Sequence, residues 1–250
     1  MNLADATERN ELMQSELERV GLDAERIESV DGRKYIEGTN GEQIQVMQFN
    51  EHGVNTTYVA LIDTLLSAFY RAKDEGWKSF LILEDDAEFM PDFEAVLDSV
   101  FERKTRMITV DDLDKPIVQC DPLTGEAIEG AELMYEKEEV EQEYSDLPDN
   151  WCMLTLGCVN GQYASKQIGG RVHKLRQFTL GTAIAFSESI YDLCIEKLES
   201  RNAPSDVIFS NICFDNLSTV MTCGIRQGIV TQRAGFSSCI GRDVPSKEVS

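Results

Sequence analysis

Phe80-Leu81-Ile82-Leu83-Glu84-Asp85-Asp86 is the stretch on which the fold turns. Four apolar residues in a row read as a buried strand. The three carboxylates that follow mark its carboxyl end, where open α/β sheets bind ligands. Side chains alternate along a strand, so Glu84 and Asp86 are expected on one face, about 6.6 Å apart along the backbone, with Asp85 on the other. Two carboxylates held so close repel unless a cation lies between them, and hard oxygen donors suit Mg²⁺ or Mn²⁺. The strand end is therefore read as a divalent-metal site. Its open positions suit phosphate oxygens, which makes a nucleotide diphosphate the matching substrate class.

On the amino side of this strand, Leu61, Leu65, Ala68, Phe69 and Ala72 recur at helical spacing, and Gly76 closes the helix. Residues 27–32 read as a strand and turn. Asp5 and Glu8 form a capping-box-like start to a helix over residues 6–20 that carries Leu12, Met13, Leu17 and Val20. Asn2 and Leu3 are too few to make a full strand before it, so a leading strand is expected to be curtailed. On the carboxyl side, Pro91 and Asp92 open a helix with Phe93, Val96, Leu97, Val100 and Phe101 on one face. Strand-like runs follow at 151–157 and 180–186. A helix is then expected from Ser187 or Ser189 to Leu198, and another capped by Ser205. The alternation predicts an α/β fold with a mainly parallel central sheet flanked by helices.

Residues 104–150 break the rhythm. A hairpin is expected around residues 121–125, and between Glu126 and Asp149 ten acidic side chains stand against one Lys. That is the pattern of a solvated loop or exposed helix, so the segment is read as an acidic insertion in a single domain spanning 1–250. The net charge of −22 and pI near 4.4 argue against broad contact with nucleic acid or anionic membrane. Seven cysteines, odd in number and without a Cys-x-x-Cys pair, argue against a zinc site or a disulfide framework. The N-terminus lacks a signal-peptide pattern, and no run approaches the ~20 apolar residues of a membrane span. A soluble, cytoplasmic protein with no transmembrane segment is expected.

Several short motifs keep company with the acidic strand end. They are Asn2-Leu3 with Arg9 six residues after the Leu, Val30-Asp31-Gly32, Leu83-Glu84-Asp85-Asp86, and Asn150-Trp151 leading to Leu156-Gly157. Further on stand Gly181-Thr182-Ala183, Pro204-Ser205-Asp206, and Gln232 followed by Ser237-Ser238-Cys239-Ile240. In order and spacing the chain resembles glycosyltransferase family 25, the family of lipooligosaccharide and collagen galactosyltransferases. The resemblance implies a GT-A-like nucleotide-diphospho-sugar transferase fold, a UDP-sugar donor, Mn²⁺ (or Mg²⁺), and inversion at the sugar carbon. It implies transfer of a hexose, galactose or glucose, to a hydroxyl of a glycan or glycoconjugate acceptor, as in lipopolysaccharide biosynthesis. By motif match, Glu84 and Asp86 hold the metal, and Asn2, Arg9, Asp31, Gly32 and Asp85 bind the donor nucleotide.

An inverting transfer needs a base to take the acceptor's proton, and Asp206 is the candidate, with Asp215 a weaker rival. His173 lies in a basic patch with Arg171, Lys174 and Arg176 that reads either as a diphosphate contact or as a solvated face. The chain departs from the family at Ala60-Leu61 and Thr64-Leu65, near where many bacterial members carry a Gly-Cys…Ser-His pattern. The competing expectation is a catalytically silent relative that keeps the sheet and binds partners through the insertion. A metal-dependent phosphohydrolase is a third option.

Overall fold

A computed structural model describes residues 1–32, 55–117, 119, 134–237 and 242–244. They form two compact units, one made of residues 1–101 and 146–250 and one of residues 102–145.

The larger unit is α/β. Its helices α1 (Thr7–Arg19), α2 (Thr56–Asp74), α3 (Phe93–Phe101), α4 (Tyr191–Glu199) and α5 (Ser205–Asp215) flank a four-stranded sheet. That sheet runs in the order β1 (Ser79–Leu83), β6 (Val172–Ser187), β5 (Met153–Gly169), β7 (Thr222–Ile225). It is mixed and mostly antiparallel: β1–β6, β5–β6 and β6–β7 pair antiparallel, and β5–β7 is parallel. The mainly parallel sheet expected from the sequence is therefore corrected.

The cause lies between Gly169 and Val172. These residues pair across a two-residue turn in which Gly170 takes φ +46°, and so tight a link can join only antiparallel neighbours. The apolar runs suggested a parallel sheet because strands covered on both faces read as continuous hydrophobic stretches. Double coverage is real here. Met153, Ile184 and Phe186 enter a core with α2, α4 and α5, whereas Leu154, Leu156 and Ala183 enter a second core with α1 and α3.

The first core centres on Phe69 of α2, fully buried, with edge-to-face contacts to Phe80 at 5.1 Å and Phe186 at 4.9 Å. Each such ring pair adds about 0.5–1.5 kcal/mol beyond area burial. Asn55 caps α2 by accepting the Thr57 N–H at 2.8 Å. Gly76, at φ +69°, ends it with its N–H on the Lys73 carbonyl. The capping box expected at Asp5 is not formed: α1 has Ala6 as its N-cap, with no side-chain cap. Ser205 likewise begins α5 behind a Pro204 N-cap. Residues 27–32, expected as a strand, contribute one parallel bridge, Asn2 to Glu28.

Short pairs complete this unit: β2 (Ala87–Phe89) with β8 (Val230–Gln232), and β9 (Gly235–Ser237) with β10 (Arg242–Val244). Five described cysteines, Cys152, Cys158, Cys194, Cys213 and Cys223, are buried free thiols. The smaller unit is a hairpin of β3 (Lys104–Ile117) and β4 (Met134–Tyr144). Its acidic strand MYEKEEVEQEY was expected as loop or helix. Cross-strand partners such as Ile108 with Val140 hold it extended instead. The turn expected around residues 121–125 lies outside the described residues.

Candidate functional site

β1 stops at Leu83, and the three carboxylates lie in the turn after it, closed by the Ala87 N–H on the Glu84 carbonyl at 3.1 Å. Strand alternation therefore does not reach them. Asp85 and Asp86, expected on opposite faces, are drawn together by one cation: an Arg9 terminal guanidinium nitrogen lies 2.7 Å from Asp85 Oδ1 and 3.0 Å from Asp86 Oδ2. Arg9 reaches them from the first turn of α1, and both aspartates are mostly shielded from water while Arg9 is partly exposed.

The shell around the pair comes from distant parts of the chain. Asn2 is buried and donates from Nδ2 to Asp85 Oδ2 at 2.7 Å, while its Oδ1 accepts from Arg26 at 2.6 Å. Its backbone sits in the parallel bridge, with Asn2 N–H on the Ile27 carbonyl and Ser29 N–H on the Asn2 carbonyl. On the other side, β2 begins immediately after Asp86 and pairs Ala87 with Gln232, so the Gln232 amide donates to Asp86 Oδ2 at 3.0 Å. Two acceptors in this notch, Asp86 Oδ1 and Gln232 Oε1, are buried and have no hydrogen-bond partner among the described residues.

The charge balance shows in the ionisation. Burial, then repulsion from Asp86 and Asp85, pushes the half-buried Glu84 carboxyl up to about 8. Burial also raises Asp85, against the opposing pull of Arg9. Near neutral pH the triplet therefore carries fewer than three negative charges.

Val30, Asp31 and Gly32 approach α2. The Val30 N–H donates to Thr64 Oγ1 at 2.9 Å, and that hydroxyl donates to the Ala60 carbonyl at 2.9 Å. Gly32 is buried against the start of α2, where a Cβ would lie 2.8 Å from Thr57 Cα, so the glycine is required by close approach. Asp206 stands in the first turn of α5, its Oδ1 accepting from the Val207 N–H at 2.9 Å. The interactions that hold Asp85 and Asp86 come from Asn2, Arg9 and Gln232. The basic patch does not converge on one anion site. His173 is buried with its pKa lowered by desolvation, Arg171 pairs with Asp92 at 2.9 Å, and Lys174 donates to the Leu217 carbonyl.

Sequence reading missed Arg26 and Thr64 as positioning groups. The alternation of Arg26 with Ile27 carried no hint that its guanidinium spans back to Asn2. A threonine in an apolar helix is a weak signal until its partner is known.

For a divalent cation, Asp86 Oδ1 is a hard, buried oxygen without a donor, which suits a site where one carboxylate and substrate phosphates share the metal. Among the described residues, no three His, Cys, Asp or Glu side chains gather to hold a metal by themselves. The residues therefore fit a metal that takes most of its ligands from elsewhere and do not fit an all-protein cage among the described residues. Among the described residues, no helix is long and apolar enough to cross a membrane. No protein-family model matches the chain, and no curated protein matches it.

Proposed function

We propose that the chain is a metal-dependent glycosyltransferase of GT-A-like kind, moving a hexose from a UDP-sugar to a hydroxyl of a glycan or glycoconjugate. One observation carries this reading. Asn2, Arg9, Asp85, Asp86 and Gln232, scattered over 230 positions and all within motifs of the family resemblance, meet at the carboxyl end of β1. Random drift of five motif residues into one notch is a poor alternative account, because four separate segments, the Asn2 bridge, α1, the turn after β1 and β8, must deliver them.

In this reading Asn2 and Asp85 orient the donor nucleotide, and Arg9 sits where negative charge accumulates on the departing diphosphate. Asp31 and Gly32 are assigned to the donor nucleotide by motif match alone, Gly32 also letting this segment pack closely on the start of α2. Asp86 presents Oδ1 as the metal ligand, and Glu84 joins it once ionised. A bound Mn²⁺ or Mg²⁺ supplies neutralisation of the leaving diphosphate. Asp206 takes the acceptor proton, after releasing the Val207 N–H that it now caps. No basic surface for nucleic acid enters the scheme.

A second reading has its own observation. Arg9 already supplies a cation to both aspartates, as a retained sheet without metal chemistry would require, and the chain then serves as a silent binding module. Titration calorimetry with UDP in the presence of Mn²⁺ decides. The transferase reading expects binding that chelation removes and that Asp86→Asn weakens at least tenfold, about 1.4 kcal/mol, with unchanged melting. Wild-type affinity in that variant sinks the metal assignment, and no UDP binding under any condition leaves the silent module.

A further inference from the structure

Past the amino end of β1, at the opposite end of that strand from the acidic turn, lies a cavity of about 230 Å³ between the end of α2 and the start of α4. Its lining includes two aromatic rings, Trp77 and Tyr191, and three charged groups, Lys73, Glu188 and Asp192.

Local structure fixes the rings. Gly76, at φ +69°, turns the chain at the end of α2, and the Trp77 N–H closes back on the Ala72 carbonyl at 2.9 Å. The Arg71 guanidinium, itself tied to Glu25 and Glu75, stacks over the indole at 5.3 Å. Tyr191 opens α4, and its ring packs against Phe80 at 5.3 Å and Phe69 at 5.8 Å. Both rings are thus held before a ligand arrives, which lowers the ordering cost of binding.

Tyr191 is only 3% exposed, and its hydroxyl has no hydrogen-bond partner among the described residues. A buried hydroxyl in that state has lost its bonds to water without replacement, so a polar ligand has a bond to supply there. Burial, then the Glu188 charge, pushes its pKa up to about 12, which leaves it neutral and able both to donate and to accept. The charges around it are already matched: Lys73 pairs with Asp192, and Glu188 pairs with Lys78 at 2.7 Å. An ionic ligand would have to break one of these pairs. A hydrocarbon would leave the Tyr191 hydroxyl unpaired. A neutral molecule with an apolar face and a rim of hydroxyls meets both demands, because an ammonium or carboxylate in one ion pair keeps further hydrogen-bonding capacity.

We propose that this cavity is a sugar-binding site, taking one neutral hexopyranose ring with its C–H face on the aromatic lining and its hydroxyls on Tyr191, Lys73 and Asp192. The volume lies under the roughly 300 Å³ at which pockets begin to take drug-sized ligands, so it suits a single ring and not a nucleotide. The five residues of β1, about 16 Å at about 3.3 Å each, separate it from the acidic turn, so one ring does not reach both. The site stands whether or not the acidic turn binds a metal.

The test uses the whole chain in chelator, without UDP, and methyl glycosides of galactose and of glucose titrated singly while indole and amide resonances are followed. At least one glycoside should shift the Trp77 indole N–H saturably, with a Kd on the order of 1 mM for a ligand of this size. Trp151, the only other tryptophan, is the internal reference. Tyr191→Phe should weaken that binding at least tenfold with a melting temperature equal to or above the parent's, because the hydroxyl it removes bonds nothing among the described residues. A merely structural tyrosine would give the reverse, a lower melting temperature with unchanged affinity. If Tyr191→Phe fails to fold, Lys73→Met takes its place and should weaken binding at least threefold. No saturable shift with any of the glycosides, shifts confined to the acidic turn, equal binding of N-methylacetamide, acetate or benzene beside Trp77, or wild-type affinity in the variant each overturns the proposal. With chelator present and UDP absent, none of these results bears on the metal site.

Discussion

With a guanidinium nitrogen 2.7 Å from Asp85 and 3.0 Å from Asp86, Arg9 offsets part of the repulsion among three adjacent carboxylates, and Glu84 absorbs the remainder by holding its proton. The sign of the resulting pH dependence follows from linkage. Glu84 titrates near 4.5 in an unfolded chain and near 8 in the folded one, so the native state binds the extra proton between those values. Stability is therefore full below about pH 4.5 as far as this group is concerned, and falls as pH rises toward 8. Asp85, also raised, acts in the same direction. Urea titrations in chelator at pH 5 and pH 8 should show a loss on the order of 2 kcal/mol from Glu84, less than the full shift implies because the residue is only half-buried. Glu84→Gln should flatten most of that slope. An unchanged slope in the variant would mean that another group titrates in this window.

At the scale of elements, Gly157 ties the sheet to the site. β5 shifts register around this residue, and a Cβ there would lie 1.7 Å from the Val230 carbonyl oxygen of β8. β8 in turn pairs with β2 and brings Gln232 to Asp86. Gly157→Ala must push β8 away, and a backbone oxygen cannot rotate aside as a flexible side chain would. The expected cost is about 2–3 kcal/mol in denaturant unfolding, typical of overpacking, together with loss of the Gln232–Asp86 contact seen as a shifted Gln232 amide resonance. Stability within about 0.5 kcal/mol of the parent would refute the close approach. This dependence also marks where sequence reading reached its limit. The apolar runs around Ile82, Leu154 and Phe186 gave the strands, and the period of Phe69 and Val96 gave the helices, because burial on one or two faces leaves a local pattern. Strand direction rested on the turn at Gly170, and the side by side placement of Asp85 and Asp86 rested on β1 ending at Leu83. Neither the turn's backbone angle nor a strand's last residue is written in hydrophobic periodicity. Asn2, Arg9 and Asp86 were legible through motif spacing, whereas Arg26 and Thr64 act through contacts that only the fold creates.

For the molecule as a whole, 45 acidic side chains against 23 basic ones leave self-repulsion as a standing cost. Residues 102–145 hold 13 of the acids and five of the bases, and the β3–β4 hairpin places Glu139, Glu141 and Glu143 on one face of a strand, opposite Glu-poor but cation-free Thr105, Met107 and Thr109. Two kinds of charge interaction respond to salt in opposite ways. Exposed pairs such as Lys78 with Glu188 weaken on screening, but each contributes at most about 1 kcal/mol. The uncompensated acids are relieved by screening, and they outnumber the pairs. Raising ionic strength from about 0.01 M to 0.15 M shortens the Debye length from roughly 30 Å to roughly 8 Å, below the span of the molecule but above the length of the Arg9 contacts. The melting temperature should rise by about 2–5 °C over this range. Replacing Glu136, Glu138, Glu139, Glu141 and Glu143 together by Gln should reduce that rise, since fewer like charges remain to be screened. A melting temperature that falls with added salt would mean that the ion pairs outweigh the excess charge.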